Sequence, residues 1–473
     1  MTKVMPLDIV GSSKFSRYEK ISRESTYNMI VSDGSLVNAP GYRKITDISP
    51  GRARGRANYT SAKYGHNIVV VDDGVYLITS NFSAALIGRL DTFTGDVFIS
   101  ENNANQIVFT QNNNFIYVFN FVENRFDRVD IGFRIGRITF IDGYIVAPNL
   151  ETSEWRLSAL NNAKSFPFDS QHVGELQTAP DTVVACETLE RQLYVFGRNV
   201  TEVWLDIPTG SNLFPFQRQN SLSIEYGCLS PHTIASNFHR MVWLGNNKAS
   251  GPVILVSDGG APRKIETDGI NFVLDNLTAP ENSHASLFEE DGHIYYLITF
   301  ETDNISYLYD FSEDKFYNAT DHNLNYHIAR NINYFNKTHV FITGKDGGLY
   351  ELSSNLFTYK ENTQKDDEGF TIPRIRITKP TREATSKRFI INNTQVGMDQ
   401  GYSDKPLEVG ISLSKDGAAS FGSMWKKALS KFGRRANKML FRQLGSANDV
   451  TFRFDFIGKD RFVINNATMD ISE

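Results

Sequence analysis

The feature that most constrains the fold is a strand–turn–strand unit that recurs along the middle of the chain. Residues 67–79 are typical, with a β-branched run, an Asp-Gly turn and a second apolar run, which is the pattern of a β-hairpin. Seven such units begin at residues 67, 106, 136, 181, 239, 285 and 329. Their spacings of 39, 30, 45, 58, 46 and 44 residues centre on the ~40–50 residues of a four-stranded propeller blade.

The repeated units predict an all-β chain with a β-propeller over residues 67–353, built from six or seven blades. A single unit leaves its apolar strand face exposed, whereas a closed ring of units buries every such face and leaves only short edges. A row of separate β-sandwiches is the alternative, and the near-regular spacing favours the propeller. The longest spacing predicts an insertion near residues 207–238, which contains Pro208, Gly210, Pro215 and Pro231.

The segments that flank the repeats predict three further parts. Residues 1–66 have little periodicity, so we expect an extended arm that packs on the propeller and could supply a closing strand. Residues 354–372 are polar and turn-rich, which predicts a linker. Residues 373–473 predict a C-terminal β-sandwich or jelly-roll-like domain with a basic insertion at 424–442, which we expect to be helical. Its expected strands are 370–378, 388–396, 407–414, 450–456 and 462–471.

Composition excludes several classes of protein. Charged residues are 22% of the chain and the net charge is -5, which argues against a disordered polyelectrolyte and against a surface that grips nucleic acid throughout. Two cysteines, Cys186 and Cys228, cannot form a disulfide framework, and we expect two reduced thiols. The N-terminal residues have no apolar signal segment, and no apolar run approaches the ~20 residues of a membrane span. We therefore expect a soluble protein made in the cytoplasm, or one that leaves its cell by assembly or lysis, and no insertion of this chain into membranes.

Motifs for catalysis, metal binding or cofactor binding are missing from the sequence. It contains no His-Glu-x-x-His, Cys-x-x-Cys, phosphate-loop or Gly-x-Ser-x-Gly pattern. The Gly-rich residues 344–348 read as a strand turn, and residues 414–421, which resemble the Asp-box turn of sialidases, read as a hairpin turn. The nine histidines are scattered, with His322 and His327 the closest pair. We therefore predict no catalytic residues, no metal site and no cofactor.

Two basic clusters stand out against the acidic total and are the candidate protein-interface residues. The larger cluster falls in the expected helix, where the alternative is a solvated helix face. Clustered cations of this kind bind phosphates or an acidic protein surface. The larger cluster consists of Lys426, Lys427, Lys431, Arg434, Arg435, Lys438 and Arg442. The weaker candidates are Arg52, Arg54 and Arg56, which alternate with small residues.

The order of short motifs along the chain resembles a known family. The motifs are Tyr27-Asn28-Met29-Ile30 followed by Pro40-Gly41, then Arg54-Gly55-Arg56-Ala57-Asn58-Tyr59, then Phe196-Gly197 with Thr201-Glu202-Val203-Trp204, then Ser221-Leu222 before Gly227-Cys228, and finally Asp416-Gly417 before a tryptophan and a basic stretch. In this order they resemble the tail hub, or packaged-DNA stabilisation protein, of short-tailed phages of enteric bacteria. The resemblance spans nearly the whole chain.

The resemblance implies a non-enzymatic virion protein of the phage tail, assembled in the host bacterial cytoplasm. Copies would form a homo-oligomeric, hexameric ring below the portal and its adaptor proteins. The ring would continue the channel through which double-stranded DNA passes without sequence-specific binding, would retain the packaged genome, and would dock the tail needle and the tailspikes. The basic stretch at 424–442 would then contact the adaptor or a neighbouring subunit.

Two other functions fit an all-β repeat chain. A propeller that binds or hydrolyses glycans would act on a polysaccharide panel and would bring carboxylates together. A cellular scaffold would lack portal and needle genes beside its own gene. The acidic total charge and the missing catalytic motifs agree with the tail-hub interpretation, because a channel wall must let DNA slide.

Overall fold

A computed structural model of the chain describes residues 2–16, 24–49, 53–207, 214–265, 267–364, 366–382, 387–399, 406–429 and 436–472. Within these ranges the regular structure is almost entirely β, with 43 strands, one α-helix, α1 (Asp268–Asp275), and 3-10 turns at Pro231–Thr233 and Pro280–Asn282. Thr267 caps α1, because its side chain accepts a hydrogen bond from the backbone N–H of Ile270.

Five short strands precede the repeats, and they join three different sheets of the molecule. They are β1 (Thr2–Leu7), β2 (Ser25–Tyr27), β3 (Met29–Ser32), β4 (Ser35–Asn38) and β5 (Gly41–Asp47).

The repeats form successive antiparallel sheets, here called ring sheets. Ring sheet 1 is β6 (Gly55–Thr60), β7 (Asn67–Val71), β8 (Gly74–Ile78) and β9 (Ala84–Arg89). Ring sheet 2 is β10 (Phe98–Glu101), β11 (Gln106–Thr110), β12 (Phe115–Asn120) and β13 (Arg125–Asp130). Ring sheet 3 is β14 (Thr139–Ile141), β15 (Tyr144–Pro148), β16 (Glu154–Leu157) and β17 (Val173–Glu175). Ring sheet 4 is β18 (Val183–Leu189), β19 (Gln192–Gly197), β20 (Thr201–Asp206) and β21 (Phe216–Ile224).

Three more ring sheets follow. Ring sheet 5 is β22 (Gly227–Cys228), β23 (Ala235–Ser236), β24 (Met241–Asn246), β25 (Val253–Ser257) and β26 (Arg263–Lys264). Ring sheet 6 is β27 (His284–Glu290), β28 (His293–Phe300), β29 (Ile305–Asp310) and β30 (Lys315–Asn318). Ring sheet 7 is β31 (Arg330–Phe335), β32 (Thr338–Ile342), β33 (Gly348–Ser353), β5, β34 (Thr358–Lys360) and β35 (Phe370–Thr371).

The seven ring sheets of the described residues close into a β-propeller. Most neighbouring sheets contact one another through their first strands, and β31 against β6 closes the ring. Ring sheets 4 and 5 meet through β19 and β22, and ring sheets 5 and 6 meet through β23 and β27. A separate apolar cluster fills almost every interface between neighbours, and buried Trp155 and Trp243 belong to two of them. The predicted Asp-Gly turns are present at Asp142-Gly143 and Asp291-Gly292, where both residues of each pair have positive φ. The predicted all-β propeller is confirmed.

The structure places the propeller boundaries differently from the sequence analysis. The propeller starts at Gly55 rather than at residue 67, because β6 carries small and polar residues that give no strand pattern. Strand β5 lies in ring sheet 7 and pairs with β33, with Tyr42 opposite Leu352. The expected linker at 354–372 contains β34, which pairs in parallel with β5, and β35, which pairs with β34.

The C-terminal residues form two packed sheets that share one apolar core with ring sheets 6 and 7. The remaining strands are β36 (Arg374–Ile377), β37 (Thr381–Arg382), β38 (Phe389–Asp399), β39 (Glu408–Ser414), β40 (Trp425–Ala428), β41 (Ala436–Ala447), β42 (Asp449–Ile457) and β43 (Val463–Ser472). One sheet has the order β3-β4-β43-β38-β41, with β1 on β43. The other has the order β36-β42-β39-β40, and β2 joins it to β30 of ring sheet 6. The N-terminal strands therefore bind the propeller to the sandwich.

The expected helix over 424–442 is wrong. Its described residues form β40, which pairs with β39, and β41, which pairs with β38. Met439 and Phe441 are buried in the sandwich core and alternate with the exposed Lys438 and Arg442 and the half-buried Leu440, so the period of burial is two rather than 3.6. The long partner strand β38 decides this conformation, and the local run of lysine and arginine does not reveal it.

A buried arginine on β36 holds the N-terminal segment against the sandwich. The side chain of Arg376 is fully buried, and its guanidinium donates hydrogen bonds to five oxygens of the N-terminal residues. The acceptors are the carbonyls of Asp8 (2.8 Å), Ile9 (3.1 Å) and Ser12 (2.8 Å), the carboxylate of Glu24 (2.8 Å) and the hydroxyl of Thr26 (3.2 Å). Burial lowers the pKa of Arg376, which the charge of Glu24 opposes.

Candidate functional site

The central cavity of the propeller is the first candidate site. It has a volume of about 500 Å³, and all seven ring sheets contribute to its wall. Their first strands supply most of the lining, because these strands stand nearest the ring axis. The polar lining includes Asn58, Glu101, Arg137, Glu187 and His232.

Two opposite charges of the cavity wall form an ion pair. Arg137 donates to the carboxylate of Glu187 through Nε at 2.9 Å and through a second nitrogen at 2.5 Å. The same guanidinium donates to the carbonyl of Pro231 at 3.1 Å. Both side chains are mostly buried, and with the hydrogen bond to Pro231 this ion pair ties ring sheets 3, 4 and 5 together.

A cluster of titratable groups surrounds the end of the cavity where the first strands begin. His232 lies 2.9 Å from a carboxylate oxygen of Asp96 and stacks on Phe98 at 4.4 Å. Burial opposes ionisation of Asp96, but the hydrogen bond and charge of His232, with Arg330 and Arg56, hold the pKa of that carboxyl below its usual value.

His284 also belongs to this cluster. It is buried beside Glu301, at 3.5 Å. Burial and the neighbouring charges of Arg330 and His232 hold the pKa of His284 well below its usual value.

Buried neutral histidines predict acid sensitivity. Burial lowers the pKa of His327 to about 4, so the folded chain keeps this imidazole neutral while the unfolded chain binds a proton below about pH 6.5. The stabilising contribution is present above that pH and is lost as the pH falls toward 4, by up to about 1.4 kcal/mol per pH unit. We expect His327→Asn to reduce the slope of the free energy of unfolding against pH between pH 7 and pH 5. The reduction is at most about 1.4 kcal/mol per pH unit, which corresponds to one proton bound on unfolding. Urea titrations of both chains at the two pH values measure this slope, and an unchanged slope contradicts the prediction.

The larger predicted basic cluster is only partly described. Lys431, Arg434 and Arg435 lie outside the described residues. Lys426 and Lys427 lie on β40, and Lys438 and Arg442 lie on β41; all four are exposed. The Nζ of Lys427 donates to the carbonyl of Leu440 and lies 5.6 Å from the ring centre of Phe441. The four cations therefore belong to two neighbouring edge strands, which we call the basic edge.

The three weaker interface candidates, Arg52, Arg54 and Arg56, have different environments. Arg52 lies outside the described residues, and Arg54 is exposed. Arg56 is buried, and its guanidinium donates to the carbonyls of Asp72, Thr92, Thr94 and Gly95. Burial lowers the pKa of Arg56 to about 10. Its position corrects the expectation of an interface cation, because Arg56 clamps the loop between ring sheets 1 and 2.

Other predicted features are structural. Asp416 accepts hydrogen bonds from Ser414 and Ser420, so the Asp-box-like segment is a self-contained turn between β39 and β40. Cys186 and Cys228 are free and buried, and burial raises the pKa of Cys228 to about 12. Among the described residues, no three His, Cys, Asp or Glu side chains could hold a metal ion together.

Sequence reasoning missed the cavity groups, because Asp96, His232 and His284 lie in or next to three different ring sheets and have no common spacing in the sequence. It also gave no role to Glu202, whose buried carboxylate accepts from Trp204 (3.1 Å) and from the backbone of Gln177 (2.7 Å) and Thr178 (2.6 Å). The motif Thr201-Glu202-Val203-Trp204 contains this residue, and the structure explains Glu202 as a buried anchor for the loop before ring sheet 4.

Comparison with protein families gives a match to the phage stabilisation family, described as bacteriophage P22 Gp10, beta-propeller, over residues 24–356. No curated protein sequence matches the chain. No helix of the described residues is long and apolar enough to cross a membrane.

Several solved structures are similar to the chain. A selenomethionine-substituted virginiamycin B lyase from Staphylococcus aureus has 12% identity and a TM-score of 0.47, covering 66% of this chain and 99% of the lyase. The N-terminal domain of Nup159 has 11% identity and a TM-score of 0.40, covering 74% and 95%. The WD40 beta propeller domain of Doa1 has 11% identity and a TM-score of 0.41, covering 66% and 96%.

Proposed function

Because the chain belongs to the phage stabilisation family of bacteriophage P22 Gp10 beta-propellers, we propose that it is the tail hub of a short-tailed phage. In this role a homohexameric ring lies below the portal and adaptor, continues the DNA channel, and docks the tail needle and tailspikes. The role is structural and needs no turnover. The observation that carries the proposal is the family match over residues 24–356, which confirms the resemblance seen in the motif order.

The architecture supports a load-bearing role. Ring sheet 6 continues through β2 into the sandwich, and β5 completes ring sheet 7, so the two parts share hydrogen-bonded sheets. A closed propeller also has few free strand edges, and such a body resists deformation under the pressure of packaged DNA. The net charge of -5 suits a wall along which DNA slides, since phosphate binding requires clustered cations.

Genome retention tests the proposal directly. Phage particles are produced from a genome in which this gene carries an early stop codon, with or without the intact chain supplied in trans. We expect particles without the chain to package DNA and then lose most of it, and the supplied chain to restore retention. Quantitative PCR of nuclease-protected DNA measures the outcome. Full retention without the chain contradicts the tail-hub proposal.

The basic edge is our proposed contact with the adaptor or the neighbouring subunit. Opposite charges across an interface accelerate docking, and reversed charges oppose it. We expect the double change Lys438→Glu and Arg442→Glu to reduce binding to portal–adaptor complexes about tenfold, which corresponds to about 1.4 kcal/mol. Co-sedimentation measures the bound fraction. The double change Arg434→Glu and Arg435→Glu is a second charge reversal within the basic stretch at 424–442, and we expect it to reduce binding as well.

Lys248→Glu is the matched control, because Lys248 is exposed on a loop of ring sheet 5, away from the basic edge. We expect this variant to bind as the unaltered chain does. Equal binding by the double variant and the control would remove the basic edge from the interface.

A further inference from the structure

Three polar side chains from distant parts of the chain meet where the sandwich joins the propeller. Ser32 ends β3, His293 begins β28 and Asp310 ends β29. The Nδ1 of His293 lies 2.7 Å from Oδ2 of Asp310, and its Nε2 lies 3.2 Å from the hydroxyl of Ser32. Serine, imidazole and carboxylate therefore stand in series, each within hydrogen-bond reach of the next.

The surroundings select one tautomer of the imidazole. Asp310 is fully buried, and a carboxylate can only accept a hydrogen bond, so Nδ1 of His293 carries the proton. Nε2 is then an acceptor that faces the Ser32 hydroxyl. The other oxygen of Asp310 accepts from the backbone N–H of Ser312 at 2.9 Å. The imidazole also lies parallel to the ring of Tyr295, at 5.7 Å and 4°, and these contacts hold both the carboxylate and the ring in place.

A cavity adjoins the serine. It has a volume of about 150 Å³, and Ser32, His293, Tyr295, Asn355 and Arg461 contribute to its wall. This space holds roughly five water molecules at ~30 Å³ each, or one short acyl group. Ser32 is half-buried and Arg461 is exposed, so this part of the cavity wall lies at the surface of the molecule. The carboxylates of Glu290 and Asp291 line the same cavity, and Arg461 is the cation among its lining residues that can stabilise a developing oxyanion.

We propose that Ser32 is an activated nucleophile that reacts with small carboxylic esters. The Ser32 oxygen forms a bond to the ester carbonyl carbon while its proton moves to Nε2 of His293. The carbon–oxygen bond to the alcohol then breaks, and the alcohol leaves with that proton. Water, activated by the same nitrogen, cleaves the acyl-serine, releases the carboxylic acid and restores Ser32. Asp310 positions the imidazole and stabilises its charged form.

The proposed esterase activity does not depend on the tail-hub function, because it is inferred from the contacts of Ser32, His293 and Asp310. A structural role for the same three residues, in which they tie the β3–β4 hairpin to ring sheet 6, is the competing explanation. Sequence patterns could not reveal the site, because Ser32 lies in a hairpin without a Gly-x-Ser-x-Gly motif and far from His293 in the chain.

Two probes distinguish the explanations, an alkyl fluorophosphonate and p-nitrophenyl acetate. The full-length chain is treated with the fluorophosphonate, and its peptides are analysed by mass spectrometry. We expect the adduct on Ser32 and none on Ser35, which lies opposite Ser32 in the same hairpin and is equally half-buried. This arm needs no variant, so it does not depend on whether a variant folds. Absence of the adduct, or equal labelling of the two serines, overturns the proposal.

Hydrolysis of p-nitrophenyl acetate gives the second readout. We expect Ser32→Ala to fall to the rate of buffer, His293→Gln to lose at least about 100-fold, and Ser35→Ala to keep the rate of the unaltered chain. Circular dichroism confirms that each variant is folded. A folded Ser32→Ala variant that hydrolyses the ester at the original rate also overturns the proposal, since a purely structural triad predicts that result.

Discussion

Replacing Arg376 by methionine is expected to lower the free energy of unfolding by about 3–5 kcal/mol. The change removes the buried partner of the Glu24 carboxylate at 2.8 Å and leaves it only the exposed Lys14 at 3.5 Å. It also removes the donors to the carbonyls of Asp8, Ile9 and Ser12, so several buried polar groups lose their hydrogen bonds together. Methionine keeps most of the apolar stem, which restricts the effect to the lost polar contacts.

Urea titration followed by tryptophan fluorescence measures this loss. The matched control is Arg382→Met, because Arg382 is exposed and forms one ion pair with Asp449 at 2.7 Å. We expect the control to cost less than about 1 kcal/mol. Limited proteolysis of the Arg376 variant should cut first within the N-terminal residues. Equal stability of the two variants contradicts the view that Arg376 anchors the N-terminal strands.

Replacing Tyr42 by alanine is expected to cost about 3–5 kcal/mol. Tyr42 lies on β5 and is fully buried where this strand completes ring sheet 7. Its ring stacks on Tyr359 at 4.1 Å and meets Phe341 and Tyr350 edge-on. Alanine leaves a cavity at the position where the N-terminal strand joins the propeller, so both the closing strand and β34 lose their main apolar contact.

Tyr42→Phe separates packing from hydrogen bonding. Phenylalanine keeps the ring contacts and loses only the hydrogen bond from the hydroxyl to Glu361, at 2.9 Å. We expect this variant to lose about 1 kcal/mol, well below the alanine variant, in the same denaturant titration. Similar losses for the two variants would show that the hydroxyl, and not the packing of β5, dominates at this position.

The propeller could be predicted from the sequence because the residues that specify each hairpin are close together in the chain and the same pattern is repeated. Each hairpin carries its own β-branched runs and turn residues, as at Asp142-Gly143 and Asp291-Gly292, so spacing alone reveals the ring. The strands of the sandwich at 389–399, 408–414 and 449–457 were predictable for the same reason.

What the sequence could not reveal depends on partners that are distant in the chain. Strand β6 has little intrinsic strand propensity and is ordered by β7 and β31. Strand β41 has the cation density of a surface helix and is extended because β38 lies beside it. Arg56 and Arg376 resemble surface cations until the backbone carbonyls that surround them are known. The titratable groups of the cavity share no spacing, and only the closed ring brings them together. The groups of the Ser32 site meet only where β3 of the sandwich lies against ring sheet 6.

Negative-stain electron microscopy of the full-length chain, alone and mixed with the portal–adaptor complex of its phage, tests the tail-hub account most directly. The account predicts six-fold rings, or added six-fold density at the distal end of the adaptor, in the mixed sample. A monomer in the sample without the adaptor is compatible with it, because the adaptor ring can act as the template. Isolated propeller-sized particles and an unchanged portal–adaptor complex in the mixed sample would contradict the account.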